Sequence, residues 1–277
     1  VDEMLKKEDP DAICVTTPAQ SHYNIISKLL EASIRYVFVE KPPTTDSKEL
    51  ASLIGKMGNN QKVMVGFQKR FALPFRHAKM LISEKVIGDV EEVSAYIKSS
   101  DIMVPTARFD VLGRGVLLDL GVHLVDLLLW MFGANMIEAS TCRRIHTGVD
   151  DYFEARLRNE NDVEVNMEVT WSSPDHRLPE TCVEVHASKG ELRVTEDYLK
   201  AKSIERHTML NGETELVMYK PHYYRSMPPV NLADPEYTLE DIHLLYSLYS
   251  HNEPLTSLRN VTRTMELIDE MYGKADI

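Results

Sequence analysis

Cysteine is the first shortage. Three occur in 277 residues, Cys14, Cys142 and Cys182, far apart and without a CxxC pair. That excludes a disulfide framework and a cysteine-based zinc cluster, and it predicts a reduced, cytoplasmic protein. Cys14 lies in the apolar run DAICVTTP and is expected to be a buried thiol. Histidine-based metal signatures are missing too: there is no HxH and no HExxH, so no metal is expected. Positive charge is also scarce, with 31 Lys and Arg against 43 Asp and Glu and a net charge of −12. This speaks against a general nucleic-acid binder or a ligand of anionic membranes. No apolar leader opens the chain, whose first residues, VDEMLKKEDPD, are charged.

Long apolar runs are limited to one, residues 116–132, and it carries Asp119, His123 and Asp126. A mid-helix Asp costs about 2.5–3.5 kcal/mol on membrane insertion, against a few tenths gained per Leu. A buried core helix is therefore expected rather than a membrane span.

The composition is otherwise that of a globular chain, 43% hydrophobic and 27% charged, long enough for two domains. Residues 1–74 alternate β-rich runs with helical periodicity. AICVTTP, YVFVEKPP and KVMVGFQKRF are strands, and DSKELASLIGKMGNN is a helix with Asp46 as N-cap and Glu49 three residues on. Apolar strands separated by helices predict a parallel sheet buried on both faces. The strands end in the polar clusters Thr16-Thr17-Pro18, Glu40-Lys41-Pro42 and Gln68-Lys69-Arg70. Open α/β sheets bind ligands beyond such ends.

From residue 75 the periods change. A helix (FRHAKMLISEKVIG) and a strand (DVEEVSAYIKSS) precede the apolar helix. In DVEVNMEVTWSS, Val163, Val165, Met167, Val169 and Trp171 alternate with polar residues, which predicts a half-buried antiparallel strand. YFEARLRN pairs with it through NEND. CVEVHAS and ELRVTE form a hairpin with Lys189-Gly190 in its turn, ETELVMYK is a further strand, and residues 236–250 and 257–273 are helical. The fold class is thus α/β, a parallel sheet in 1–74 followed by an α+β domain in 75–277 with a large, mainly antiparallel sheet.

Two features carry chemistry. Lys41, in EKPP, is either a surface lysine stiffened by prolines or a cation at the ligand rim that steadies negative charge on a substrate oxygen. At 100° per residue, Asp119, His123 and Asp126 fall within roughly 60° of one another, one polar stripe on an apolar helix. His123 is suited to proton transfer near neutral pH, with Asp119 one turn away to orient or tune it. Asp126 is instead a structural acceptor or a helix–helix contact.

In this order, AICVTTPAQSHYNI, YVFVEKPP, VMVGFQKRF and GRGVLLDLGVHLVDLLLWMFG resemble the Gfo/Idh/MocA family of NAD(P)-dependent oxidoreductases. The resemblance implies that residues 1–74 are the C-terminal part of a Rossmann domain. It also implies hydride transfer between NAD or NADP and a secondary alcohol of a sugar, cyclitol or sugar derivative. Lys41, Asp119 and His123 would form the catalytic triad, with His123 taking the hydroxyl proton and Asp119 holding substrate or histidine. Thr17, Pro18, His22, Glu40, Lys41, Pro42, Gln68 and Arg70 would flank the cofactor. Arg108, Asp110, Arg114, Trp171, His176, Tyr223 and Tyr224 are candidates for substrate specificity in the second domain, and packing or surface roles are open to each. A homodimer or homotetramer built on the antiparallel sheet is also implied.

The resemblance departs at glycine. Before residue 74, glycine stands only at 55, 58 and 66, and no G-x-G-x-x-G precedes a helix. Three expectations follow: a piece of a fuller enzyme, a second chain that completes the cofactor site, or a shortened relative that binds sugars or proteins without redox chemistry. An NAD-dependent glycosidase is a further alternative.

Overall fold

In a computed structural model, the structure describes residues 1–101, 114–203, 214–226 and 234–276. The chain opens with a short helix, α1 (Asp2–Lys7), that buries no side chain. Three parallel strands follow in the order β1 (Ala12–Val15), β2 (Tyr36–Glu40) and β3 (Lys62–Gly66). They are connected by α2 (His22–Glu31) and α3 (Ser47–Lys56). Asp46 caps α3 as its sequence predicts, accepting a hydrogen bond from Glu49 N at 2.8 Å, while Glu49 Oε2 accepts one from Thr45 N at 3.0 Å.

Alternate strand residues separate two faces. Val37, Val39, Val63 and Val65 join the main core with α2 and α3, whereas Phe38 and Met64 point the other way and meet Phe71, Leu239 and Leu244. Cys14 is on this second face of β1 and is exposed, contrary to the expectation of a buried thiol. The apolar run reads as buried on both faces, but α2 and α3 cover only the face that takes Ile13 and Val15.

Residues beyond 74 build the larger sheet. Helix α4 (Leu73–Ser83) leads into β4 (Val90–Lys98), the apolar helix into β5 (Met136–Arg143), and then β6 (Tyr152–Arg158), β7 (Glu164–Thr170), β8 (Glu180–Ala187), β9 (Gly190–Thr195), β10 (Tyr198–Ser203) and β11 (Thr214–Tyr219) follow. Their order is β11-β10-β9-β8-β4-β7-β6-β5. All neighbours are antiparallel except β4 and β7, so β7 has one partner of each sense. In the β8–β9 hairpin Gly190 pairs with Ala187, which moves the turn to Ser188-Lys189, one residue earlier than the sequence implies.

The apolar helix begins with a π-helical turn, Leu117–Gly121, and continues as α5 (Val122–Phe132). Its start is fixed from outside. Asp150 accepts hydrogen bonds from Gly115 N at 2.9 Å and Leu117 N at 3.0 Å, and its carbonyl accepts one from Val116 N at 2.7 Å. A Cβ at position 115 would sit 2.0 Å from the Asp150 carbonyl oxygen, so only glycine fits there.

After a one-turn helix α6 (Lys220–Tyr223), the chain returns to the parallel sheet. Helix α7 (Pro235–Ser250) covers Phe38, Met64 and Phe71, and Thr256 and Leu258 hydrogen-bond along β3. Residues 257–261 precede α8 (Thr262–Lys274), which starts five residues later than periodicity suggests and packs between α3 and α5. No helix of the described residues is long and apolar enough to cross a membrane.

Candidate active site

The strand ends of the parallel sheet meet the π-helical turn. Lys41, just after β2, donates from Nζ to Asp119 Oδ1 at 2.8 Å and to the Asp119 carbonyl at 3.0 Å. Both side chains keep some contact with solvent, 20% and 23% exposed. The π turn matters here, because its extra residue changes where Asp119 points relative to the α-helical stretch that follows.

His123 lies one turn on, 5% exposed, with its ring edge against Phe67 at 5.9 Å and 87°. The sequence places Asp119 as its orienting carboxylate, but the structure gives Asp119 to Lys41. His123 Nδ1 is buried with no hydrogen-bond partner. Nε2 is therefore the ring nitrogen left to meet the cleft that His123 lines. Burial, with the nearby positive charges of Lys41 and Lys69, holds the imidazole well below its ordinary range, so it rests neutral.

Asp126 belongs to a different interaction. Arg70 donates to it from Nε at 2.7 Å and from Nη2 at 2.6 Å, and Thr264 Oγ1 adds a third bond at 3.0 Å. Arg70 is 5% exposed and Asp126 2%. Arg70, expected at the cofactor, is thus committed to tying β3's end to α5 and α8 and does not line the cleft.

The cleft itself has a volume of about 620 Å³. Glu40, Lys41, Gln68, Lys69 and His123 form one wall. The other comes from the larger sheet and α7, with Glu180, Thr195, Glu196, Lys220, Glu236 and Tyr237. An ion pair crosses between the walls, Lys69 Nζ to Glu196 Oε1 at 2.5 Å, and a second lies within the larger-sheet wall, Lys220 Nζ to Asp197 Oδ1 at 3.1 Å. Gln68 Nε2 donates to the Tyr237 hydroxyl at 3.1 Å.

The remaining sequence candidates divide. Thr17 and Pro18 are exposed at the end of β1, and Pro42 is buried behind Lys41. His22 joins these two strand ends, with Nδ1 2.8 Å from the Pro42 carbonyl and Nε2 2.6 Å from the Thr17 carbonyl, and is 1% exposed. It shapes the rim from behind rather than facing a ligand.

Arg114 pairs with Asp269 at 2.5 Å and lies over the Tyr272 ring, outside the cleft. Trp171 is 1% exposed and continues the buried side of β7 into the core, outside the cleft lining. His176 bonds the Ser173 hydroxyl at 2.7 Å and lies 3.7 Å from Glu180, at the cleft's edge but not in its lining. Tyr223 packs edge-on against His77, and the Tyr224 hydroxyl accepts a hydrogen bond from Leu73 N at 3.3 Å, both against α4. Arg108 and Asp110 lie outside the described residues.

Two residues at or near the cleft are given no role by sequence reasoning. Lys69 sits between the two residues singled out at its strand end, and only the turn at Gln68–Arg70 turns it into the cleft. Glu240, on α7, is 2% exposed with Oε1 unpartnered. Burial, with Glu40, Asp241 and Glu236 nearby, pushes its carboxyl up to about 9, so it holds a proton at neutral pH. Glu236 and Glu240 are one helical turn apart, the single sequence signal for this acidic patch.

Comparison with known proteins gives the geometry a context. Residues 1–67 match the profile of an oxidoreductase family with an NAD-binding Rossmann fold, and residues 75–193 match the GFO/IDH/MocA C-terminal domain. Trans-1,2-dihydrobenzene-1,2-diol dehydrogenase of Xenopus tropicalis is 25% identical over 272 residues, 97% of this chain and 79% of that protein. Inositol 2-dehydrogenase of Rhizobium meliloti is 26% identical over 141 residues, 50% of this chain and 42% of that protein. The fold also matches levoglucosan dehydrogenase, solved with NADH and levoglucosan, with a TM-score of 0.85 at 16% identity, covering 99% of this chain and 80% of that one.

Proposed function

Because the chain belongs to the Gfo/Idh/MocA family of oxidoreductases, we propose that its cleft oxidises a secondary alcohol of a sugar, cyclitol or related polyol with NAD or NADP. The observation that carries this reading is the meeting of the Lys41–Asp119 pair and neutral His123 at one cleft where the parallel strands end. The described residues fit the nicotinamide end of such a cofactor. Glu40, Lys41 and Gln68 form the rim, and His123 presents one free ring nitrogen beside them. When bound, the nicotinamide supplies the hydride acceptor or donor.

The protein's own groups handle the oxygen and its proton. Lys41, positioned by Asp119, donates a hydrogen bond to the substrate hydroxyl and stabilises the negative charge that develops there. His123 Nε2 accepts the hydroxyl proton. Burial, with the charges of Lys41 and Lys69, makes the resting imidazole a weak base, and the growing charge on the substrate oxygen offsets the lysines when the proton moves. For Nε2 to be free, the resting proton occupies Nδ1, which no side chain among the described residues accepts. Phe67 packs on the imidazole at 5.9 Å and 87°, part of the apolar surroundings that bury it.

The test is reduction of NAD or NADP by a panel of polyols, followed by absorbance, with wild type and Lys41→Ala. Turnover by wild type and a loss of about 10²–10⁴-fold in kcat for the variant are expected. Ligand binding without turnover by wild type would point to a non-redox binding role.

A further inference from the structure

Charge in the cleft is arranged unevenly, and this narrows the substrate class. Resting on the reading of the cleft as a polyol dehydrogenase site, we infer that it selects uncharged polyols over anionic ones such as uronates and sugar phosphates, because its lysines are already neutralised by the protein's own carboxylates.

Three lysines line the cleft among the described residues, and each has a carboxylate partner: Lys41 with Asp119, Lys69 with Glu196, and Lys220 with Asp197. Glu40, Glu180, Asp234 and Glu236 line it as well, in excess of those pairs. An anionic substrate has to displace one of these internal carboxylates or stand beside the surplus ones. Either route loses free energy in a partly buried site, where screening by salt and water is weak. The net charge of −12 opposes its approach as well.

A neutral polyol meets the opposite situation. Its hydroxyls donate to carboxylate oxygens, and carboxylates are acceptors only. Glu180 already accepts the Tyr96 hydroxyl at 2.6 Å, an internal example of that bond.

Glu196 is the residue that sets this balance. One of its oxygens holds Lys69 and the other accepts a hydrogen bond from Thr181 N at 3.0 Å, so it is fixed between the two walls. Lys69 and Glu196 side chains are 13% and 18% exposed, which makes the pair sensitive to the loss of either partner. Neutralising Glu196 leaves Lys69 as an unpaired cation facing the cleft. It would then attract the anionic ligands that the wild type rejects.

The experiment uses matched pairs: myo-inositol with myo-inositol 1-phosphate, D-glucose with D-glucuronate, and D-galactose with D-galacturonate. For each pair kcat/KM is measured with NAD and NADP, and binding is measured separately by calorimetry. Wild type is expected to favour the neutral member about tenfold or more, and Glu196→Gln to shrink that ratio to about threefold or less. Raising salt from low to high ionic strength should narrow the wild-type kcat/KM ratio only in part, by screening the long-range repulsion from the net charge of −12, and leave most of the preference in place.

Equal or greater preference for the anionic member in wild type would overturn the inference while leaving the dehydrogenase reading intact. Tighter binding of the neutral member without turnover would support the inference and defeat the redox reading. Binding of neither member of any pair would overturn both.

Discussion

Two ion pairs join the strand ends of the parallel sheet to the same apolar helix, and they do different work. Lys41–Asp119 is made through one carboxylate oxygen, with side chains 20% and 23% exposed, at the wall of a cleft. Arg70–Asp126, two turns further along, is bidentate, 6% and 2% exposed, and supported by Thr264. The first leaves an ammonium with hydrogen-bonding capacity facing a ligand space. The second uses its charges up internally and holds β3's end, α5 and α8 together. An identical chemical type on one helix therefore separates into a reactive and a structural pair according to access.

The comparison is most easily broken at His123, which belongs to the reactive side. His123→Ala should reduce kcat by about 10²–10⁴-fold while thermal unfolding shows a folded protein. A rate within a few-fold of wild type would remove His123 from the chemistry.

On the structural side, Arg70→Met leaves Asp126 as a buried, uncompensated carboxylate. It should lower stability by about 3–5 kcal/mol in urea or thermal unfolding, with kcat per folded molecule largely retained. A stable variant with no activity would instead place Arg70 in the reaction.

Glu240 sharpens the contrast, being a buried carboxyl whose Oε1 has no hydrogen-bond partner among the described residues. Its folded proton affinity is raised from the ordinary 4.5 to about 9, so between those values the folded state holds a proton that the unfolded state releases. The stability it contributes is complete below pH 4.5 and is lost as pH rises towards 9. Glu240→Gln should flatten that slope, so its stability relative to wild type is higher at pH 8 than at pH 5 by roughly 1–3 kcal/mol. Parallel pH profiles for the two proteins would show that Glu240 does not titrate across this window.

Much of this arrangement is legible in the sequence. The parallel strands follow from apolar runs separated by helical periods, and the alternation from Val163 to Trp171 marks one buried face, as found. The polar stripe on the apolar helix is also visible, since three polar residues at helical spacing stand out against leucine.

What each member of the stripe binds is not legible, because partners come from distant segments. Asp119 meets Lys41, 78 residues away, and Asp126 meets Arg70, 56 residues away. The π turn hides as well, and the amides at its start are held by Asp150, from another part of the chain. The cleft's far wall, with Glu196, Lys220 and Glu236, is assembled from strand ends and a returning helix whose residues carry no local motif. Of the roles open to Trp171 and Arg114 in the sequence, the structure places Trp171 in core packing and Arg114 in an ion pair with Asp269, partners that the sequence alone does not name.

The most direct test measures kcat and the thermal unfolding midpoint together for Lys41→Met and Arg70→Met, using a substrate that wild type oxidises. The two-pair account predicts that Lys41→Met loses about 10²-fold or more in kcat and stays folded, whereas Arg70→Met loses stability and retains turnover. Unchanged kcat in Lys41→Met would contradict it.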